Sequence, residues 1–262
     1  MLEITSLQLD ALLLAWAYPI ARVLGLIATA PVFASAAMPR QIRLAAGLVI
    51  GVAVAAVLPP PPTIQPGTWF GMAVFVQQIL IGIGMGLGLR MVMSAVDIAG
   101  DIIGLQMGLS FATFFDPNSS GQTAVLAEFL GLLSSLTFLA LNGHLLMIDV
   151  LVRSFEFVPI GDATINGSAW LILTRIGSVA FASGLLISLP IVAALLITNV
   201  SLAVLTRAAP QLNLFAVGFP ITSTVGMLII LVSLNAFAPV LQSIYDQGFE
   251  IIGYFLRAVP PR

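Results

Sequence analysis

The run IGSVAFASGLLISLPIVAALLITNVSLAVLTRAAPQLNLFAVGFPITSTVGMLIILVSLNAFAPVLQSIY, Ile176 to Tyr245, carries one charged side chain, Arg207. Ile176 to Thr206 is 31 residues without a charge, and Ala208 to Tyr245 is 38. A helix crosses a bilayer with roughly 20 apolar residues. Between the two runs lies Arg207-Ala208-Ala209-Pro210, and proline cannot continue a helix. The pattern predicts a helical hairpin: helix, tight turn, helix back. Fully helical, the segment 169–206 would outreach the ~30 Å hydrocarbon layer. Pro190 is its candidate kink.

The rest of the chain agrees in composition. Of 262 residues, 60% are hydrophobic and 8% charged, and mean hydropathy is +1.12. Soluble domains run near 25% charged, and disordered chains are polar. The sequence therefore reads as an all-α integral membrane protein. Apolar segments fall at about 11–37, 44–58, 69–89, 91–113, 124–150, 169–206 and 213–245. Leu44 to Leu89 has 46 residues without a charge, interrupted by the helix-breaking LPPPPTIQPG at Leu58 to Gly67. Segments 69–89 and 91–113 are separated only by Arg90, so they read as two helices or as one.

That choice governs topology. With seven helices, Arg40, Arg43, Arg90, Arg153, Arg257 and Arg262 lie on one side and Arg207 on the other, favouring an external N-terminus. With one helix over 69–113, the count is three against three and decides nothing. The odd segment lengths and intramembrane charges point to helices packed on protein more than on lipid. The N-terminus carries only Glu3 and Asp10, without the positive charge of a cleavable signal, so the first apolar stretch is expected to be retained. Composition shifts near residue 165, from shorter, interrupted segments to the long hairpin.

Several chemistries are excluded. There is no Cys, no Lys and a single His, His144. No thiolate metal site, Schiff base, P-loop lysine or paired-histidine zinc site is possible. A net charge of -2 provides no basic patch for nucleic acid. No metal or cofactor is expected, and an intramembrane enzyme would lack a recognisable nucleophile and base. His144 reads as a packing residue.

Four motifs remain. Gly82, Gly84, Gly86 and Gly88 alternate, making two small-xxx-small pairs, 82/86 and 84/88, with Gly47 and Gly51 a third. Such pairs let helix backbones approach closely, and the spacing never makes a nucleotide-binding GxGxxG. Asp97 and Asp101 share a helical face. With Glu128 they are the groups a secondary transporter or ion channel would use, but no pseudo-equivalent halves accompany them. The segment GLQMGLSFATFFDPNSSGQ, Gly104 to Gln122, joins an apolar half to a turn. It reads either as an apolar pore constriction or as an interfacial loop with aromatic anchors. Leu205 to Pro220 reads as a structural hairpin tip, with Arg207 and Gln211 its polar groups and Pro210 and Pro220 its breakers.

Three blocks carry a resemblance. GDIIGLQMGLSFATFFDPNSSGQ (Gly100 to Gln122), NGHLLMIDVLVRSFEFVPIG (Asn142 to Gly161) and LTRAAPQLNLFAVGFPITSTVGM (Leu205 to Met227) resemble, in order, motifs of the FliR family of flagellar type III export-gate proteins. PVFASAAMPRQIRLAAGLVI (Pro31 to Ile50) is a weaker match, and the virulence-secretion counterpart, SctT, is the close alternative. The resemblance implies a FliP-like part over 1–165 and a FliQ-like hairpin over 166–262. It implies one copy joined with FliP and FliQ, with FlhB and FlhA as neighbours and unfolded flagellar proteins as substrates. The place implied is the inner membrane at the centre of the basal body, partly on its periplasmic side. It also implies that about 106–122 plugs the pore. Gln106, Met107, Phe111, Phe114 and Phe115 would close it and Asp116 and Pro117 set its turn. Arg207, Pro210, Gln211, Gly218 and Pro220 would serve assembly at the hairpin tip.

Overall fold

The computed structural model describes residues 6–35, 38–59, 64, 68–109, 125–161, 167–209 and 214–259. Among them are seven helices and no strand: α1 (Ser6–Thr29), α2 (Arg40–Val57), α3 (Trp69–Gln106), α4 (Val125–Ala140), α5 (Gly143–Phe157), α6 (Gly167–Ala208) and α7 (Leu214–Arg257). The chain is an all-α integral membrane protein. Four helices, α2, α3, α6 and α7, are long and apolar enough to cross a membrane, and α4 with α5 supplies a fifth candidate span.

One choice the sequence leaves open is decided, and one element differs from the sequence reading. Of the segments 69–89 and 91–113, the residues Trp69–Gln106 form one helix of 38 residues, α3, through Arg90. No proline interrupts it, and arginine is a good helix former. The six-against-one arginine count, which needs two helices there, does not hold. Conversely, the apolar segment 124–150 is broken. Asn142 adopts a left-handed conformation (φ 57°), ending α4 and starting α5. Asparagine tolerates that region better than most residues, and the Asn-Gly pair supplies the turn chemistry.

The chain folds into two compact units, each drawing on residues from both 1–165 and 166–262. The first comprises Met1–Val92, Asn142–Gly177 and Asp246–Arg262; the second comprises Met93–Leu141 and Ser178–Tyr245. In the first, α2 lies on α1 through Gly47 and Gly51, whose missing side chains leave room for Leu24 and Ile20. Leu58 donates back to Val54 (3.2 Å), and Pro59 disfavours another turn. The start of α6 stands beside the end of α7, with the Trp170 and Phe255 rings 6.4 Å apart, edge to face. In the second unit, Gly100 of α3 presses on the backbone of Ala127 in α4, and Gly184 of α6 sits against Ala95 and Ile98 of α3. Tyr245 donates to the carbonyl of Ser134 (2.7 Å), shares a second bond with its hydroxyl (2.7 Å), and meets Phe138 edge-on.

Candidate functional site

The glycine alternation on α3 presents two faces in the first unit. Gly82 and Gly86 face α1: a methyl group on Gly82 would collide with the Arg22 carbonyl and stand 2.8 Å from the Leu26 nitrogen. One on Gly86 would collide with Thr29 Oγ1 and lie 2.7 Å from the Leu26 oxygen. Gly84 and Gly88 face the end of α7, against Phe255 and Ile252. Gly82 meets backbone alone, and Gly86 meets backbone as well as Thr29 Oγ1, so α1 and α3 approach more closely than a side chain at either position permits. Thr29 completes this seam by donating to Ile83 of α3 (3.3 Å) as well as to its own helix.

In the second unit α3 ends at Gln106, which is half-buried, and the chain runs on through Met107 to Leu109. Met107 is fully buried, and its carbonyl accepts a bond from Thr222 Oγ1 of α7 (3.1 Å). Its side chain fills the space left by Gly226, where an added methyl would meet Met107 atoms at 2.7 to 2.9 Å. The chain is therefore fastened to α7 just before the Phe-rich segment. Phe111, Phe114, Phe115, Asp116 and Pro117 lie outside the described residues, as do Pro210 and Gln211. Arg207 is exposed in the last turn of α6. Gly218 is buried in α7 and Pro220 is exposed two residues on.

The carboxylates do not form a buried path among the described residues. Asp97, Asp101 and Glu128 are all exposed on the chain, and Asp149 pairs with Arg153 one turn away (2.9 Å). His144 is half-buried, with Nδ1 enclosed and unpartnered. No group of three His, Cys, Asp or Glu side chains among the described residues could hold a metal ion.

Among the described residues, the charged side chain that the fold buries is Arg22, in the second half of α1, with no exposed surface. Gln78 of α3 is equally buried and accepts from its Nε (2.9 Å) and Nη2 (2.5 Å). Sequence reasoning passed over this pair. An arginine inside the apolar stretch 11–37 was its signal, since such a residue needs dedicated partners; nothing local identifies what they are.

Residues 13–248 match the family described as bacterial export proteins, family 1. The chain belongs to this family, the family of the FliR proteins, and the resemblance read from three motifs extends along the whole chain. It is 40% identical over 260 residues to the flagellar biosynthetic protein FliR of Escherichia coli K12, covering 99% of both chains. FliR of Pectobacterium carotovorum is 40% identical over 242 residues, 91% of each. FliR of Aquifex aeolicus is 30% identical over 238 residues, 90% of this chain and 92% of that one.

Proposed function

We propose that this chain is a non-enzymatic, single-copy subunit of the flagellar type III protein export gate, assembled with FliP and FliQ in the inner membrane. Membership of an export family and FliR relatives over nearly the full length support it, and they favour the flagellar over the virulence branch.

One structural observation carries the assembly. Helix α6 has 42 residues, about 63 Å at 1.5 Å per residue. Large apolar side chains stand exposed on both sides of the exposed Arg175: Leu171 (62%) before it, and Phe181 to Leu205 after it, among them Leu186 (67%) and Ile197 (68%). The charge-free part is about 36 Å long, close to the ~30 Å layer or its crossing of about 39 Å at a 40° tilt. A helix of about 63 Å therefore carries turns outside hydrocarbon, and apolar groups there, such as Leu171, are covered in this reading by other helices. FliP and FliQ are the partners this calls for, with FlhB and FlhA bordering the gate, part of which then stands on the periplasmic side of the bilayer. The hairpin α6–α7 fits the FliQ-like role proposed for 166–262, and residues 1–165 the FliP-like one.

Gating falls to about 106–122. Met107 holds the segment's start against α7. Gln106, Met107, Phe111, Phe114 and Phe115 close the pore with apolar and polar side chains that exclude ions, and Asp116 and Pro117 form the turn. An unfolded export substrate displaces the segment; energy comes from outside the chain. Arg207, Pro210, Gln211, Gly218 and Pro220 serve assembly at the hairpin tip.

The test is co-expression of the tagged chain with its FliP and FliQ partners. The expected product is one complex of defined mass with a single tagged copy. Recovery of a free monomer or homo-oligomer, with the partners present in the same membranes, overturns the reading. For the plug, deleting part of 110–120 should raise ion leakage through the assembled, closed gate; unchanged leakage rejects the sealing role.

A further inference from the structure

Every Asp and Glu among the described side chains is exposed, while Arg22 is wholly enclosed. Its guanidinium has no carboxylate within ion-pair distance among the described residues. An isolated cation is not left unneutralised in a protein interior, so something else supplies the negative potential.

The end of α5 does. Arg22 Nη2 donates to the carbonyl of Val158, the residue that caps α5 (2.8 Å), and Nη1 donates to Ser154 Oγ in its last turn (2.9 Å). Ser154 in turn donates to the carbonyl of Leu151 (2.6 Å), which leaves its oxygen lone pairs for the arginine. The final carbonyls of a helix lack partners and sum to about half a negative charge. The Phe155 ring, whose face is also negative, lies 3.9 Å from the guanidinium carbon. Gln78 completes the cage from α3, its oxygen accepting twice. The Arg22 side chain thus makes four bonds to α3 and the end of α5, and the charge sits on a helix terminus.

We propose that Arg22 is a positioning residue whose charge, neutralised by the C-terminal end of α5, holds that end against α1 and α3. The arrangement needs the positive charge, and the fork geometry comes second.

The absence of native cysteine allows a clean test. Val158 and Ile81 have no exposed surface. Val158→Cys reports on the end of α5 and keeps the backbone carbonyl that Arg22 uses; Ile81→Cys reports on α3. Each is placed in the full chain, purified in its assembled complex, and reacted with N-ethylmaleimide. Arg22→Met should raise labelling at position 158 at least tenfold and leave position 81 unchanged. Arg22→Lys, which keeps the charge, should hold position 158 within about threefold of the parent. Protection of position 158 in Arg22→Met overturns the proposal. So does equal labelling of positions 158 and 81, which would make Arg22 a support of the whole unit. If Arg22→Met yields no complex, Arg22→Lys decides alone: tenfold labelling at position 158 there rejects the charge-based account.

Discussion

An alanine at position 82 has nowhere to put its methyl group, because the obstacle is the backbone of α1 and not a side chain that can rotate away. Overpacking of this kind costs about 1–3 kcal/mol, against the ~1 kcal/mol that alanine gains over glycine in a helix. At position 88 the nearest atom is Ile252 Cγ1 at 3.1 Å, a side chain that can yield. Gly82→Ala should therefore lower the thermal midpoint in detergent, while Gly88→Ala leaves it unchanged or raises it. Equal shifts would mean that the two faces of the alternation are equivalent. A second case is Gln78→Leu, which takes two bonds from a buried cation. Bonds to charged groups contribute about 1.5–3 kcal/mol each, so this variant should lose far more stability than an exposed change such as Gln242→Leu. A melting series that ranks them together would remove Gln78 from the Arg22 cage. The glycines were legible because two small residues four apart must share a helical face. Arg22 was not, because its partners lie 56, 132 and 136 residues away and only the fold brings them together.

At the scale of the element, the end of α3 is where packing meets the segment proposed to move. Met107 occupies the gap above Gly226, and a leucine there would compete for the same space. Gly226→Leu is expected to shrink swimming halos to half or less while the amount of chain in the membrane, read by immunoblot, stays the same. Full motility would show that the seat of Met107 is dispensable. Thr222→Val should do much less, since the one Oγ1 proton of Thr222 is shared between Met107 and the carbonyls of Gly218 and Phe219 in its own helix. The long helices were visible in the charge-free runs, but their joints were not. Arg90 left two helices or one equally open and is an exposed residue within α3, whereas Asn142 lies inside an apolar run and is a true break. Charge marks what a helix faces; backbone freedom marks where it stops.

For the molecule as a whole, the outward surface decides what it joins. Ile197 lies well inside the exposed apolar stretch of α6, so Ile197→Arg should abolish co-purification of FliP and FliQ while the chain still accumulates in the membrane. Retained co-purification would move the assembly surface elsewhere. Removing the entire chain should eliminate filaments and motility, scored by microscopy and soft-agar spreading. The membrane class followed from hydrophobic length, and the two long helices α6 and α7 from charge-free runs parted at a proline. The family followed from three blocks in register, and the buried centre of the first unit from neither. That centre also sets a timetable. A ribosome adds about 5–20 residues per second. Gln78 therefore emerges seconds after Arg22, and Val158, 136 residues later, after about 7–27 s. Through that interval α1 carries its cation without the end of α5, so this helix waits for a neighbour made 136 residues after its own arginine.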